Sequence, residues 1–168
     1  GTTGSADTTD CSYEWQANAG GLWQLANNWE KGTGATYGYP NSEYATALFS
    51  TKSKGSSDNP ITVNGNLAND IRLKGMVVDE NAASDITIDM HKRDIGGTDY
   101  VKWSFANYTH LNEKPDGYLD NSTRCLLSIA AGKHVTLYDG VFDLYVNNDT
   151  AKAKTISPLT LGDNAVLT

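Results

Sequence analysis

From Ile61 onward the chain is a succession of short apolar alternations, each closed off by Gly, Asn or Asp, and this punctuation constrains the fold more than any other feature. Ile86-Thr87-Ile88-Asp89-Met90 alternates cleanly, and Tyr100-Val101-Lys102-Trp103-Ser104-Phe105 alternates too. Ile61-Thr62-Val63, Ile71-Arg72-Leu73 leading to Met76-Val77-Val78, Arg124 to Ile129, Val135 to Tyr138, Val141 to Val146, Leu159 to Leu161 and Ala165 to Leu167 follow the same habit. Between them stand Gly75, Gly96-Gly97, Asp116-Gly117, Gly132, Asp139-Gly140, Asn147-Asn148-Asp149 and Gly162-Asp163-Asn164, residues that tolerate turns and positive φ. No window carries the 3.6-residue period of an amphipathic helix. Only 39% of residues are hydrophobic and 20% charged, and Thr, Asn, Asp, Ser and Gly fill the difference. Such residues disfavour helix interiors, so the expected class is all-β.

Three segments look alike: Ala82 to Ile88, Ala131 to Leu137 and Leu161 to Leu167. Each is a small or Gly-containing turn followed by a short strand. Stacked strand–turn–strand units of this kind build a parallel β-helix or solenoid. Their spacing is uneven, so an antiparallel β-sandwich or jelly roll stays open as the alternative. The reading of the chain is a polar, disordered tail over 1–12 and a single all-β domain over 13–168. Within that domain an aromatic cap region covers 13–60 and stacked short strands cover 61–168. The first residue is Gly1 rather than Met, which implies that an upstream region has been removed. The pattern breaks off after Leu167 with no capping segment, which implies a fragment of a longer chain with an open strand edge.

The zone from 13 to about 50 concentrates large aromatics and carries an ordered motif. It runs Tyr13-Glu14-Trp15, Gly21-Leu22-Trp23, Asn27-Asn28-Trp29, Tyr39-Pro40-Asn41, Ala45-Thr46-Ala47-Leu48-Phe49 and Ile61-Thr62-Val63. This resembles the opening unit of secreted bacterial proteins with autotransporter-associated β-strand repeats. The resemblance covers residues 13 to about 63. It departs in the insertion from Gly32 to Tyr39, in the Lys/Ser/Gly loop after Phe49 and in the irregular spacing from Asp94 to Arg124. It implies a right-handed parallel β-helix on the outside of a bacterium, with Trp15, Trp23 and Trp29 as a structural cap. It brings no catalytic residue set with it.

Trp and Tyr faces could alternatively stack on sugar rings, with Asn and Asp bonding the hydroxyls. The insertion places Tyr37 and Tyr39 where exposure is expected, so these two are the candidate carbohydrate contacts. Asp116 to Asn121 and Asn147-Asn148-Asp149 are oxygen-rich, yet they lack the spacing of a calcium loop and read as turns. His91, His110 and His134 are scattered, with no His-x-x-His or His-Glu-x-x-His, so no metal is expected. Asp85, Asp89, Asp94 and Asp99 read as solvated positions rather than a glycosidase pair. No nucleotide-binding or hydrolase fingerprint occurs.

Cys11 and Cys125 either form a disulfide or remain two separate buried thiols. A bridge would close a very long loop, worth about 4–5 kcal/mol in the chain-entropy model, and would presume an oxidising compartment. The net charge of −7, without a Lys/Arg cluster, excludes neutralisation of duplex phosphates and docking to an anionic membrane. No apolar run is long enough to span a bilayer. The sequence therefore points to a monomeric, non-catalytic extracellular module of a bacterial surface or secreted protein, with no cofactor. Its role would be adhesion, display or contact with a polysaccharide or host glycan. An accessory or partial domain of a pectate-lyase-like polysaccharide-degrading enzyme is the alternative.

Overall fold

The computed structural model describes residues 4–18, 20–53, 61–64, 71–82, 85–89, 102–104, 125–138, 141–143 and 157–168. They form strands β1 (Cys11–Trp15), β2 (Gly20–Leu22), β3 (Trp29–Lys31), β4 (Ser42–Phe49), β5 (Ile61–Asn64), β6 (Ile71–Val78) and β7 (Asp85–Asp89). Then come β8 (Lys102–Ser104), β9 (Cys125–Ile129), β10 (His134–Tyr138), β11 (Val141–Asp143), β12 (Ser157–Leu161) and β13 (Val166–Leu167). One 3-10 turn, Ala26–Asn28, is the only helical element among the described residues.

Two sheets result. The smaller runs β13-β10-β7-β5-β2. The larger runs β11-β8-β6-β4-β1-β3 and forks at β6. The Ile71 end of that long strand pairs β8, and its Met76 end pairs β9, which in turn pairs β12. Burial follows the pleat. Cys11, Tyr13 and Trp15 point inward on β1, Ala45, Ala47 and Phe49 on β4, and Ile86 and Ile88 on β7, with more exposed residues between them. These inward residues and Val135 of β10 belong to one core drawn from both sheets. Size is matched across the ladder: the β1–β4 register sets Tyr13 beside Ala47 and Cys11 beside Ala45.

The corners between the sheets repeat a single design. Ser53, Ala82, Lys133 and Ala165 each donate a backbone N–H to the carbonyl three residues earlier, at 2.9, 3.2, 3.1 and 3.1 Å. The corners are also tied to one another. Asp79 N–H bonds the Phe49 carbonyl (3.0 Å), Ala130 the Val78 carbonyl (2.9 Å) and Gly162 the Ile129 carbonyl (2.9 Å). The last three corners are the look-alike segments of the sequence. The rank they align runs Phe49, Val78 and Ile129, each at most 1% exposed, and then Leu161 at 45%. Among the described residues β12 and β13 are edge strands, and they expose Leu161 and Val166.

The right-handed parallel β-helix expected from repeats and resemblance is not what these residues show. The sheets are mixed. β3 runs antiparallel to β1, with Trp15 opposite Trp29, and an isolated antiparallel bridge joins Gly4 to Tyr37. The larger sheet branches where a helix of coils would continue as one ladder. The physical reason lies in the aromatic zone. Instead of lying over a stack as a separate cap, it supplies β1, β3 and β4 to one sheet and β2 to the other. An antiparallel sandwich does not describe the chain either, since β1–β3 is the one antiparallel strand pair among the described residues.

Of the polar tail expected over 1–12, residues 4–12 are described. From Gly4 the chain is laid against the body, and Cys11 and Ser12 already belong to β1. Its composition suggested disorder because it holds no apolar anchor. Hydrogen bonds to Asp7 hold it instead.

Gly162 shows how closely the corners stack. A Cβ there would fall 2.5 Å from the Ala131 nitrogen and 2.9 Å from its α-carbon. Both are backbone atoms and cannot step aside without opening β9 from β12. Gly132 has φ +73° but nothing within 4 Å of a Cβ. Gly162→Ala should cost about 1–3 kcal/mol by overpacking. That lowers the melting temperature by several degrees, at about 2–4 °C per kcal/mol in a chain of this size. Gly132→Ala should cost about 1–2 kcal/mol, from its left-handed backbone alone. Thermal circular dichroism of the two variants checks this, and a Gly162→Ala melt equal to wild type would show that the corners do not approach this closely.

Candidate functional site

The motif residues converge on one aromatic cluster. Trp29 stands edge-on to Trp15 (centroids 5.1 Å apart) and to Trp23 (4.7 Å), and Phe49 packs against Trp15 and Trp29 at 6.2 and 6.0 Å. Such pairs contribute about 0.5–1.5 kcal/mol beyond their burial. Trp15, Trp23 and Trp29 are buried, so none offers a ring face to a ligand. Each indole N–H bonds a backbone carbonyl: Trp15 to Ala17 (3.0 Å), Trp23 to Pro40 (2.9 Å) and Trp29 to Trp23 (2.7 Å). The rings therefore hold the connecting loops as well as the core.

The small residues of the motif acquire a reason here. The Asn28 side chain donates to the Leu22 carbonyl at 2.8 Å, and Gln16 N–H bonds the Asn28 carbonyl at 2.9 Å. The amide of Asn28 lies where a Cβ on Gly21 would meet it at 2.8 Å, and Gly21 has φ +151°. A side chain at position 21 would expel the amide that ties β2 to the 3-10 turn.

A second assembly surrounds Asp7, which is 5% exposed. Its carboxylate accepts the Tyr13 hydroxyl, 2.8 and 2.7 Å from its two oxygens, the backbone N–H groups of Thr36 (2.8 Å) and Tyr37 (3.3 Å), and the hydroxyls of Thr36 (3.3 Å) and Ser42 (3.2 Å). Tyr37 N–H also reaches the Tyr13 oxygen at 3.1 Å. Burial acts to raise the Asp7 pKa, but the donors Thr36, Tyr13, Tyr37 and Cys11 outweigh it and hold the carboxyl below its ordinary value. Burial and the adjacent Asp7 charge push the Cys11 thiol up to about 12 and raise the Tyr13 phenol as well. Nothing in the sequence marks Asp7. An Asp in a Thr- and Gly-rich segment looks like any solvated turn residue.

Tyr37 and Tyr39 meet beside this network, ring centroids 5.0 Å apart and edge to face. The expected exposure holds for neither in full. Tyr39 is 8% exposed, and Tyr37 is half-buried against the core. Burial, reinforced by the Tyr37 hydroxyl, pushes the Tyr39 phenol up to about 12. Next to Tyr39, Asn41 Oδ1 accepts the backbone N–H of Arg72 at 2.9 Å, and the Arg72 guanidinium lies 3.5 Å from Glu43. One partly open aromatic ring thus stands among polar groups on a backbone held at several points.

Of the two alternatives for Cys11 and Cys125, the bridge is not the one the structure shows. Cys11 is a free, buried thiol whose Sγ lies 3.9 Å from the Tyr44 carbonyl. Strands β4 and β6 separate β1 from β9, on which Cys125 is the first residue. Three strand spacings put the two about 14 Å apart, and a disulfide needs α-carbons within about 7 Å.

Asp85 and Asp89 sit on the outward side of β7, and Asp85 pairs across the ladder with His134, Oδ1 to Nδ1 3.3 Å. Among the described residues no three His, Cys, Asp or Glu side chains are grouped to hold a metal ion, and no helix is long and apolar enough to cross a membrane. The oxygen-rich turns at 116–121 and 147–149, together with His91, His110, Asp94 and Asp99, lie outside the described residues. Comparison with protein families, with curated proteins and with solved structures finds no match.

Removing the Tyr13 hydroxyl isolates the Asp7 network. In Tyr13→Phe the carboxylate stays buried with one donor fewer, so its folded pKa rises. Asp7 contributes stability above its unfolded value of about 3.9, and that contribution is lost as pH falls through the lower folded value. The variant should lose about 1.5–3 kcal/mol at neutral pH, and its acid unfolding midpoint should move to higher pH. Denaturant melts across pH 2–7 measure both.

Proposed function

We propose that this chain is a non-catalytic extracellular module that presents a glycan contact centred on Tyr37. The support is the arrangement around that ring: half-buried, backed edge-on by Tyr39, with its backbone N–H held by Asp7 and Tyr13. A ring whose backbone is already held gives up little freedom when a sugar stacks on it, which favours binding by pre-organisation. Asn41 stands beside Tyr39 to meet hydroxyls. The reading as a non-catalytic module rests on how the perturbed groups are employed. The Asp7 carboxylate is saturated with donors inside the fold, and the Cys11 thiol is buried with its pKa raised, so neither is poised as a base or nucleophile. The extracellular placement and the role in adhesion or display rest on the resemblance of the Trp motif to autotransporter-associated repeats.

Binding of the whole chain to a panel of polysaccharides and host glycans, followed by calorimetry on any hit, tests this. Tyr37→Ala should weaken the hit at least tenfold, about 1.4 kcal/mol, with the circular dichroism spectrum of the folded protein retained. Failure of the folded protein to bind any glycan would overturn the contact. Release of oligosaccharides from the panel would overturn the non-catalytic reading.

A further inference from the structure

Residues 4–10 precede β1 and lie against the body. Asp7 is the one buried residue among them, and Gly4, Ser5, Ala6, Thr8, Thr9 and Asp10 are exposed. The contacts that tie the segment down are polar. Gly4 makes the antiparallel bridge to Tyr37. The Thr36 hydroxyl bonds the carbonyls of Ser5 (3.1 Å) and Ala6 (3.2 Å). Asp10 meets Lys74 at 2.9 Å in a solvent-exposed pair, and such pairs contribute little. What remains is the Asp7 carboxylate, with donors from β1 (Tyr13), from the 36–37 backbone and from β4 (Ser42). The ionisable groups facing it are the Tyr13 phenol and the Cys11 thiol, with Asp10 and Lys74 just beyond.

We infer that residues 4–10 form a strap that opens independently of the strand core, with the Asp7 carboxylate as its latch. Two physical points support this. Hydrogen bonds contribute little net stability where both partners return to water, so a strap without apolar burial opens at small cost once the latch is broken. The core is held by burial of Trp15, Trp23, Phe49, Ile71 and Ile88, none of which lies on the strap. The latch also anchors the Tyr37 N–H, so the position of the strap and the position of the Tyr37 backbone are coupled. Opening uncovers the Cys11 thiol beside Asp7.

Hydrogen exchange on the full chain, wild type and Asp7→Asn, is the test. The amide is isosteric, but its nitrogen cannot accept the donors. Exchange across 4–10 and at Thr36 and Tyr37 should accelerate at least tenfold more than exchange in β6, β7 and β9, where any acceleration reports only the loss of global stability. Unchanged exchange at Thr36 and Tyr37 would overturn Asp7 as the latch. Uniform acceleration through all strands would overturn independent opening. If Asp7→Asn does not fold, wild-type exchange along a denaturant series decides the same point. Opening at Thr36 and Tyr37 should then show little denaturant dependence, and a slope equal to that of the β6 amides would overturn the strap.

Discussion

Trp29 is the residue around which the first half of the chain is organised. Its ring stands edge-on to Trp15 and Trp23, and its indole N–H bonds the carbonyl of Trp23. It also opens β3, the strand that pairs antiparallel to β1 and makes the larger sheet mixed. One side chain thus links β3, β1 and the turn after β2. Truncating a buried Trp to Ala typically costs about 3–5 kcal/mol. Here the loss would include the hydrogen bond that sets the path of the chain past Trp23.

Beyond that cluster the structure is extended by repetition. Each corner is the same short turn, and successive corners are joined by backbone hydrogen bonds. Repetition needs small residues where corners touch, as at Gly162, and apolar residues in the rank that lines the interior. Phe49, Val78 and Ile129 fill that rank. It reaches the surface at Leu161, where β12 has β9 as its ladder neighbour.

The polar chemistry is concentrated away from the repeats, where the N-terminal segment, β1, β4 and the 32–41 loop meet. A buried carboxylate needs donors on all sides, and Asp7 recruits them from parts of the chain far apart in sequence. The proposed glycan contact at Tyr37 is built on the backbone that this carboxylate steadies.

The sequence by itself determined the strand content, the corner segments and the burial of Trp15, Trp23 and Trp29. Alternation with period two and turn residues at fixed offsets are local properties, and large aromatics have few places to go but inside. The strands β5 to β13 fall where the alternations lie, whereas β1 to β4 were concealed because aromatic, Gly and Asn content looked like a cap rather than a sheet. Only the tertiary structure decided the mixed pairing, the fork at β6, the separation of Cys11 from Cys125 and the role of Asp7. Each of these depends on which distant segment arrives alongside. Pairing direction, the number of strands between two cysteines and the donors around a carboxylate are relations between segments, and no local pattern encodes them.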